Sequence, residues 1–262
     1  MYTRHYGLRE KPFSLTPDPR YLYLSESHRE ALAHVLYGVE QGEGFIAVTG
    51  EVGTGKTTLC RTLLERLGPE VEVAYLFNPR LDGLELLQAI HRELGLPSDG
   101  TRAQLLDRLN RFLLDASRGG RRVLIVVDEA QNLPVDTLEE LRLLSNLETS
   151  TEKLLQILLF GQPELDAMLD SRELRQLRQR IGVRWRLDAL SMPEAGEYVR
   201  HRLRVAAAGD TELFSPSALR ELRRRSDLQR DRVRPRRRRR AARISRAARP
   251  TWTRSTRRER SA

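Results

Sequence analysis

The sequence contains very little cysteine and no long apolar run. Its 262 residues include one cysteine, Cys60, so a framework of disulfides within the chain is excluded and a reducing compartment is favoured. No stretch approaches the roughly 18 apolar residues of a membrane-spanning helix, and the first residues lack the basic-then-apolar order of a secretory signal. We therefore expect a cytoplasmic protein without a transmembrane segment.

Histidine and cysteine spacings typical of zinc centres, and patterns for nucleophilic catalysis, are also missing. The five histidines show no metal-ligand spacing with one another or with Cys60, and we interpret them as surface or packing residues: His5, His28, His34, His91 and His201. Ser145 and Ser191 lack the context of a nucleophile elbow. Zinc-dependent and serine-hydrolase chemistry is therefore not indicated.

The positive charge is concentrated at one end of the chain. The net charge is +10, but residues 227–262 hold 15 arginines against three acidic residues, while the rest has 31 basic and 33 acidic side chains. This tail has almost no large apolar residues, so it cannot bury enough surface to order itself. We expect a disordered, arginine-rich tail after a nearly neutral body.

Strand-like and helix-like segments alternate along most of the sequence. Short apolar runs predict five strands, at residues 44–50, 71–77, 121–131, 153–162 and 181–187. Helical periodicity predicts helices that begin after Ser25 or Ser27 and end at Gly42, and others at 56–68, 83–95, 101–117 and 135–148. Such alternation predicts an α/β fold with a parallel sheet and helical crossovers.

The character of the sequence changes after Asp188. Residues 192–209 and 215–226 are helical in pattern, with no strand between them. We expect a division into an N-terminal segment (1–24), an α/β domain (25–188), a small helical second domain (189–226) and the tail (227–262).

A glycine-rich loop carries the strongest chemical signal. Residues 50–57, GEVGTGKT, match G-x-x-x-x-G-K-[ST] in full, between a predicted strand and a predicted helix. Glycines let successive backbone N–H groups and the helix N-terminus face a phosphate. Lys56 is expected to reach the β- and γ-phosphates of ATP, and Thr57 to ligate Mg²⁺. The expected nucleotide-binding residues in this stretch are Gly50, Glu51, Val52, Gly53, Thr54, Gly55, Lys56, Thr57 and Thr58.

An acidic pair supplies the second half of the predicted site. The apolar run VLIVV delivers Asp128 and Glu129 to the carboxyl end of a buried strand, where ligands bind in open α/β sheets. Asp128 is expected to hold Mg²⁺, and Glu129 to polarise the attacking water as general base. The two motifs together predict phosphoryl transfer from ATP to water.

Two further positions leave alternatives open. Gln162 ends the next predicted strand, where its amide would orient water or sense the γ-phosphate, or it is an ordinary loop residue before a helix. Arg178 and Arg180 precede the last strand, where an arginine can enter a neighbouring subunit's site and stabilise transition-state charge. Solvated helix-face arginines are the alternative, and Arg180 is the preferred candidate.

Several segments, in order and at their spacing, resemble one family. The opening MYTRHYGLREKPFSLTPDPRYLYLSESHREAL, the loop GEVGTGKTT, and VLIVVDEAQNL, LRLLSNLET and LLQILLFGQPEL are similar to the general secretion pathway protein A (ExeA-like) group of AAA+ ATPases. The resemblance covers about residues 1–225. It implies a P-loop αβα sandwich with a five-stranded parallel sheet and a small helical lid.

The resemblance also implies further roles for residues and partners. Such proteins work as homo-oligomers with nucleotide at subunit contacts, and the opening segment lies near the nucleotide base, which implies that Tyr21 and Tyr23 line it. Gln162 takes the family's sensor-1 position. Members are associated with secretion, pilus and exopolysaccharide export systems, and more distantly with transposition ATPases. The implied partners are therefore envelope export components, reached from the cytoplasmic face of the inner membrane.

The sequence departs from the family at its C-terminal end. It has neither the transmembrane helix nor the peptidoglycan-binding region of membrane-linked members. Family members follow the lid helix with Gly-x-Pro-Arg, whose arginine contacts the nucleotide, whereas DLQRDRVRPRRRR stands here. The lid is therefore expected to be incomplete. A reading-frame shift near codon 226 explains this change better than a tail that binds nucleic acid, although both explanations remain open at this point.

Two functions are consistent with these features, beside a third interpretation in which the chain is a degraded gene product that binds nucleotide but turns over poorly. The first is a Mg²⁺-dependent AAA+ ATPase that assembles or remodels an envelope export system. The second is a DNA-associated adaptor ATPase of the transposition type, in which the arginine-rich tail contacts phosphates.

Overall fold

The computed structural model describes residues 2–14, 18–77, 79–148 and 153–207, together with residues 214, 217, 218 and 221. Five strands are present there: β1 (Phe45–Gly50), β2 (Val71–Phe77), β3 (Arg122–Asp128), β4 (Leu155–Gly161) and β5 (Ile181–Leu187). The helices are α1 (Tyr2–His5), α2 (Glu26–Glu40), α3 (Lys56–Arg66), α4 (Gly83–Glu93), α5 (Arg102–Arg118), α6 (Val135–Leu144), α7 (Pro163–Leu169), α8 (Arg175–Arg180) and α9 (Met192–Ala206). Short 3₁₀ helices span Pro19–Tyr21 and Ala130–Asn132.

The five strands form one parallel sheet in the order β2-β3-β4-β1-β5. Parallel strands need crossover connections, and the helices between successive strands supply them. Thr49 pairs with Gly161 across β1 and β4, and Phe77 pairs with Asp128 across β2 and β3. The carboxyl ends of β1, β3 and β4 therefore meet at one edge of the sheet, as the sequence predicted.

Helices cover both faces of the sheet, which makes the fold an αβα sandwich. Along β3, Val123, Ile125 and Val127 face a core formed with α4 to α8, while Leu124 and Val126 face a second core formed with α2 and α3. A strand buried on both faces needs apolar residues at every position, and β3 is buried from Val123 to Asp128. This explains why its sequence shows no alternation.

The outermost strand, β5, has the opposite pattern. It lies at the sheet edge beside β1, and its burial alternates along the strand. Arg184 and Arg186 are exposed, whereas Trp185 between them is half-buried and stacks on His34 of α2, with 4.6 Å between ring centroids. An edge strand with exposed arginines resists pairing with another sheet.

Local signals set the ends of most elements. Ser25, not Ser27, caps α2 by accepting a hydrogen bond from the backbone N–H of His28, and Gly42 adopts a φ of 72° just beyond the helix. The helix predicted over 135–148 ends at Leu144. Beyond it the backbone forms tighter hydrogen bonds between residues three apart, such as that from the Asn146 N–H to the Leu143 carbonyl.

The N-terminal segment packs on α9. Leu8 pairs with Ala207 in an isolated antiparallel bridge, and these two residues share a small apolar cluster with Tyr21 and Leu203. The second predicted helix of the lid, apart from three positions, and the tail 227–262 lie outside the described residues. Within the described ranges, no helix is long and apolar enough to cross a membrane.

Candidate active site

The glycine-rich loop joins the end of β1 to the start of α3. Gly53 and Gly55 adopt φ values of 81° and 86°, in the left-handed region that residues with a Cβ atom rarely enter. A Cβ atom at Gly53 would meet nothing within 4 Å, so backbone conformation alone requires glycine there. Gly55 is also the N-cap of α3. The loop therefore ends on a helix N-terminus, where backbone N–H groups favour an anion.

Lys56 lies inside this loop. Its side chain is buried, and its Nζ atom donates hydrogen bonds of 2.8 Å to the Gly50 carbonyl and 2.9 Å to the Glu51 carbonyl. Burial lowers the pKa of Lys56, while the charges of Glu129 and Asp128 oppose that shift. The ammonium group is therefore held by the loop backbone, within electrostatic reach of both acidic residues.

Asp128 lies at the end of β3 and is completely buried. Its carboxylate accepts hydrogen bonds from the Thr57 hydroxyl and, at 3.3 Å, from the Tyr75 hydroxyl. Burial raises the pKa of Asp128, and the bond from Thr57 opposes the shift. Tyr75 is a contact that sequence reasoning missed, because nothing local to β2 indicates its partner.

The donor set fits magnesium. Thr57 and Asp128 bring two hard oxygen ligands into direct contact, and Mg²⁺ prefers such oxygens together with waters and substrate phosphates. Among the residues that the structure describes, no group of three or more histidine, cysteine or carboxylate side chains could hold a metal by itself. A cation at Thr57 and Asp128 would therefore depend on phosphate oxygens as further ligands.

Glu129 adopts an unusual backbone conformation. It is the one non-glycine residue with positive φ, 58°, in the described part of the chain. This conformation ends β3 at Asp128, so the strand predicted over 121–131 extends three residues beyond the observed carboxyl end. A strained residue held at a strand end is a feature that clusters at functional sites.

Two glutamine side chains hold the carboxylate of Glu129. Gln131 donates to its Oε2 atom at 2.5 Å, and Gln162 donates to the same oxygen at 2.9 Å. The Gln162 backbone N–H also donates to Oε1 of Gln131 at 3.0 Å. The structure thus brings together two predicted site residues, Glu129 and Gln162, and adds Gln131, which the overlong strand prediction had obscured.

The tyrosines of the N-terminal segment face α9. Tyr21 is buried, with the guanidinium of Arg202 at 4.7 Å from its ring centroid, and Tyr23 donates to Glu197 at 2.5 Å. Between them, Leu22 lies 3.9 Å from the Cβ position of Gly55. The segment therefore passes beside the end of the glycine-rich loop.

Arg180, a predicted site residue, contacts the end of α6 instead of the glycine-rich loop. It is exposed on α8, and its guanidinium donates to the hydroxyl of Ser145 at 2.8 Å. Arg178, also exposed, lies 3.7 Å from Asp170. Both arginines therefore bond to residues of helix ends outside the loop.

Comparison with known proteins assigns the family. Residues 39–169, half of the chain, match the AAA domain family. The chain belongs to the AAA domain family. Its P-loop αβα fold and nucleotide-binding motifs are those of an AAA-type protein, and the resemblance predicted from the sequence is confirmed by its relatives.

One curated relative is General secretion pathway protein A from Aeromonas hydrophila, which is 50% identical over 226 residues. The alignment covers 86% of this AAA domain chain and 41% of that protein, so the chain spans less than half of its relative.

Solved structures confirm the fold. The Aeropyrum pernix ORC2 protein with ADPNP and ADP has a TM-score of 0.58 at 22% identity, covering 74% of this chain and 55% of that one. Cdc6p from Pyrobaculum aerophilum has a TM-score of 0.57 at 18% identity with the same shares covered. At such identities these likenesses show the fold alone.

Proposed function

We propose that this AAA domain protein is a Mg²⁺-dependent ATPase that couples ATP hydrolysis to the assembly or remodelling of a secretion, pilus or exopolysaccharide export system. The observation that carries the proposal is the placement of Glu129, fixed by two amides, at the sheet edge that also holds Lys56, Thr57 and Asp128. Ionisable groups whose pKa values are shifted by burial, as those of Lys56 and Asp128 are, cluster at catalytic sites.

Each residue of the loop has a distinct task in this proposal. Lys56 moves its ammonium donors from the loop carbonyls to the β- and γ-phosphates, and Thr57 and Asp128 hold Mg²⁺. When bound, Mg²⁺ neutralises charge on the phosphate oxygens. The remaining proposed nucleotide contacts come from the loop and the first turn of α3: Gly50, Glu51, Val52, Gly53, Thr54, Gly55 and Thr58. Tyr21 is proposed to lie beside the base.

Glu129 is the proposed general base. Its carboxylate accepts the proton of the attacking water, and the amide of Gln162 keeps that carboxylate oriented. Both amide donors contact Oε2, so the orientation of the whole group is set by β3, β4 and their following turns. Such orientation matters because a general base must lie within hydrogen-bond reach of the proton that it takes.

The proposed working form is a homo-oligomer. Arg180 is exposed, and an arginine that reaches a neighbouring subunit's nucleotide would stabilise the charge of the transition state. We also propose the division into segment 1–24, ATPase domain 25–188, helical lid 189–226 and tail 227–262. Export components are the proposed partners because a relative named for secretion shares half of the aligned residues. The proposed location is the cytoplasm, peripheral to the inner membrane through those partners.

Two substitutions test the ATPase proposal. Glu129→Gln should retain ATP binding and lose turnover by about 10²-fold or more, because general bases contribute about 10²–10⁴-fold. Lys56→Ala should lose ATP binding itself. Steady-state hydrolysis and calorimetric ATP titration of the full chain measure both effects, and unchanged turnover in Glu129→Gln would remove Glu129 from its role.

The arginine-rich tail favours a second candidate, a DNA-associated adaptor ATPase. Its 15 arginines would contact DNA phosphates without regard to sequence. Stimulation of hydrolysis by double-stranded DNA, with affinity that falls steeply between 50 and 200 mM salt, would support this candidate. If the hydrolysis rate is the same with and without DNA, and any affinity for DNA does not change with salt, the export function is favoured instead.

A further inference from the structure

His28 connects the first turn of α2 to the glycine-rich loop. The ring is buried, with 4% of the residue exposed, and its Nε2 atom lies 2.7 Å from the carbonyl oxygen of Thr54. Its Nδ1 atom lies 2.6 Å from the hydroxyl oxygen of Ser25. Both ring nitrogens therefore have partners, one of them in the loop itself.

These partners determine the tautomer. A carbonyl oxygen only accepts hydrogen bonds, so Nε2 carries the proton that it donates to Thr54, and Nδ1 accepts from the Ser25 hydroxyl. Burial lowers the pKa of His28, with the Thr54 carbonyl and the charge of Glu194 opposing the shift, so the neutral ring is favoured. The neutral ring with its proton on Nε2 satisfies both hydrogen bonds at once.

The hydrogen bond fixes one peptide group of the loop. In a trans peptide the carbonyl and the following N–H point in opposite directions, and no cis peptide occurs in the described residues. With the Thr54 carbonyl held toward His28, the N–H of Gly55 points to the opposite side. A Cβ atom at Gly55 would lie 3.1 Å from Nε2, so the ring touches this peptide closely.

The first turn of α2 is itself held in place. The Glu26 backbone N–H donates to Glu194 of α9 at 3.1 Å, and the Asp188 backbone N–H donates to the Ser27 hydroxyl at 3.1 Å. The turn that carries His28 is therefore bonded both to α9 and to the residue that follows β5. A flexible surface helix would not provide such a fixed donor.

We infer that His28 is a positioning residue, which holds the Thr54–Gly55 peptide so that the Gly55 N–H faces the phosphates of the nucleotide. The inference rests on the proposed nucleotide-binding function and adds a residue outside the glycine-rich loop to it. Without this bond the loop spends part of its time in other conformations, and the observed affinity falls by the fraction of competent molecules.

A pair of variants separates the hydrogen bond from the shape of the ring. His28→Phe keeps the ring and removes the donor, whereas His28→Gln places an amide donor where Nε2 lies. We expect His28→Phe to raise the Kd for ADP with Mg²⁺ about tenfold, the effect of one buried hydrogen bond, and His28→Gln to stay within about threefold of the parent. Turnover at saturating ATP should change less than Kd, because the chemistry is untouched.

His91→Phe is the matched control. His91 is also buried and bonds a backbone carbonyl, that of Leu87 in α4, within the core on the other face of the sheet. Its substitution should leave the Kd for ADP unchanged, whatever it does to stability. Equal Kd values for the parent, His28→Phe and His28→Gln would overturn the inference, as would equal weakening in His91→Phe.

If His28→Phe does not fold, His28→Asn removes the long reach to Thr54 in a polar side chain, and the same Kd comparison with His28→Gln applies. Nitrogen NMR of ¹⁵N-histidine-labelled full chain gives an independent reading without nucleotide. We expect Nε2 protonated and Nδ1 unprotonated at pH 7, with the signals assigned by their loss in His28→Gln. The opposite tautomer would overturn the inference. A parent chain that shows the expected tautomer but binds no ADP would instead refute the proposed function.

Discussion

At the scale of single residues, the site depends on contacts between side chains that are distant in sequence. Glu129 contacts Gln162, 33 residues away, and Asp128 contacts Tyr75, 53 residues away. Such contacts give each acidic group one orientation before nucleotide binds. Preorganised groups need little rearrangement during the reaction, which is the main source of electrostatic catalysis.

Gln131 is expected to matter for turnover more than for binding. Gln131→Leu keeps the size of the side chain and removes the bonds to Glu129 and to the Gln162 backbone. The carboxylate then samples orientations away from the water, so we expect kcat to fall about tenfold or more with KM for ATP nearly unchanged. Steady-state kinetics measure both constants. A raised KM with unchanged kcat would assign Gln131 to nucleotide binding instead.

At the scale of secondary-structure elements, helix caps contribute to stability far from the site. Asp82 accepts hydrogen bonds from the N–H groups of Leu84 and Glu85, and the Glu85 carboxylate accepts from the Asp82 N–H in return. Each such reciprocal pair satisfies backbone donors that a helix leaves free.

Asp82→Ala should lower the free energy of unfolding by about 1 kcal/mol, the usual effect of losing an N-cap. Asp107→Ala is the control, because Asp107 forms an exposed ion pair with Arg111 on α5, and such pairs contribute little. Urea unfolding of both variants measures the difference. Equal losses in the two variants would contradict the role of the cap.

The five strands and the longer helices could be predicted in order and type from the sequence, because each has a local pattern, whereas no range was predicted for the short helices α1, α7 and α8. The unbroken apolar run of β3 and the glycine-rich loop before α3 both depend on neighbouring residues alone. The ends of helices and strands were predicted less accurately, as at Glu129, whose positive φ ends β3 before the predicted position. The bonds of His28, Gln131 and Tyr75 could not be predicted, because they depend on which elements the fold places together.

At the scale of the whole molecule, one buried histidine, His28, and one partly buried histidine, His201, link stability to pH. Burial lowers the pKa of His28 and of His201, and the positive charges of Arg204 and Arg202 lower that of His201 further. In an unfolded chain the histidine pKa is about 6.5. Between that value and the lowered pKa, the unfolded chain binds more protons than the folded one, so stability falls as pH falls.

The free energy of unfolding should therefore be lower at pH 5.5 than at pH 7. His28→Gln removes one of the two groups, so the difference between the two pH values should shrink in that variant. Urea unfolding at both pH values measures the change. The carboxylates with lowered pKa, among them Asp170 and Glu194, lose their contribution only at more acidic pH, near or below their ordinary values of about 4. An unchanged pH difference in His28→Gln would contradict the burial argument.

The most direct test of the central claim is phosphate release from ATP by the purified full chain, with Mg²⁺ and with the metal removed by a chelator. The account predicts turnover that requires Mg²⁺ and that falls by about 10²-fold or more in Glu129→Gln while ATP stays bound. Turnover that persists without a divalent cation, or that is the same in Glu129→Gln as in the parent chain, would contradict it.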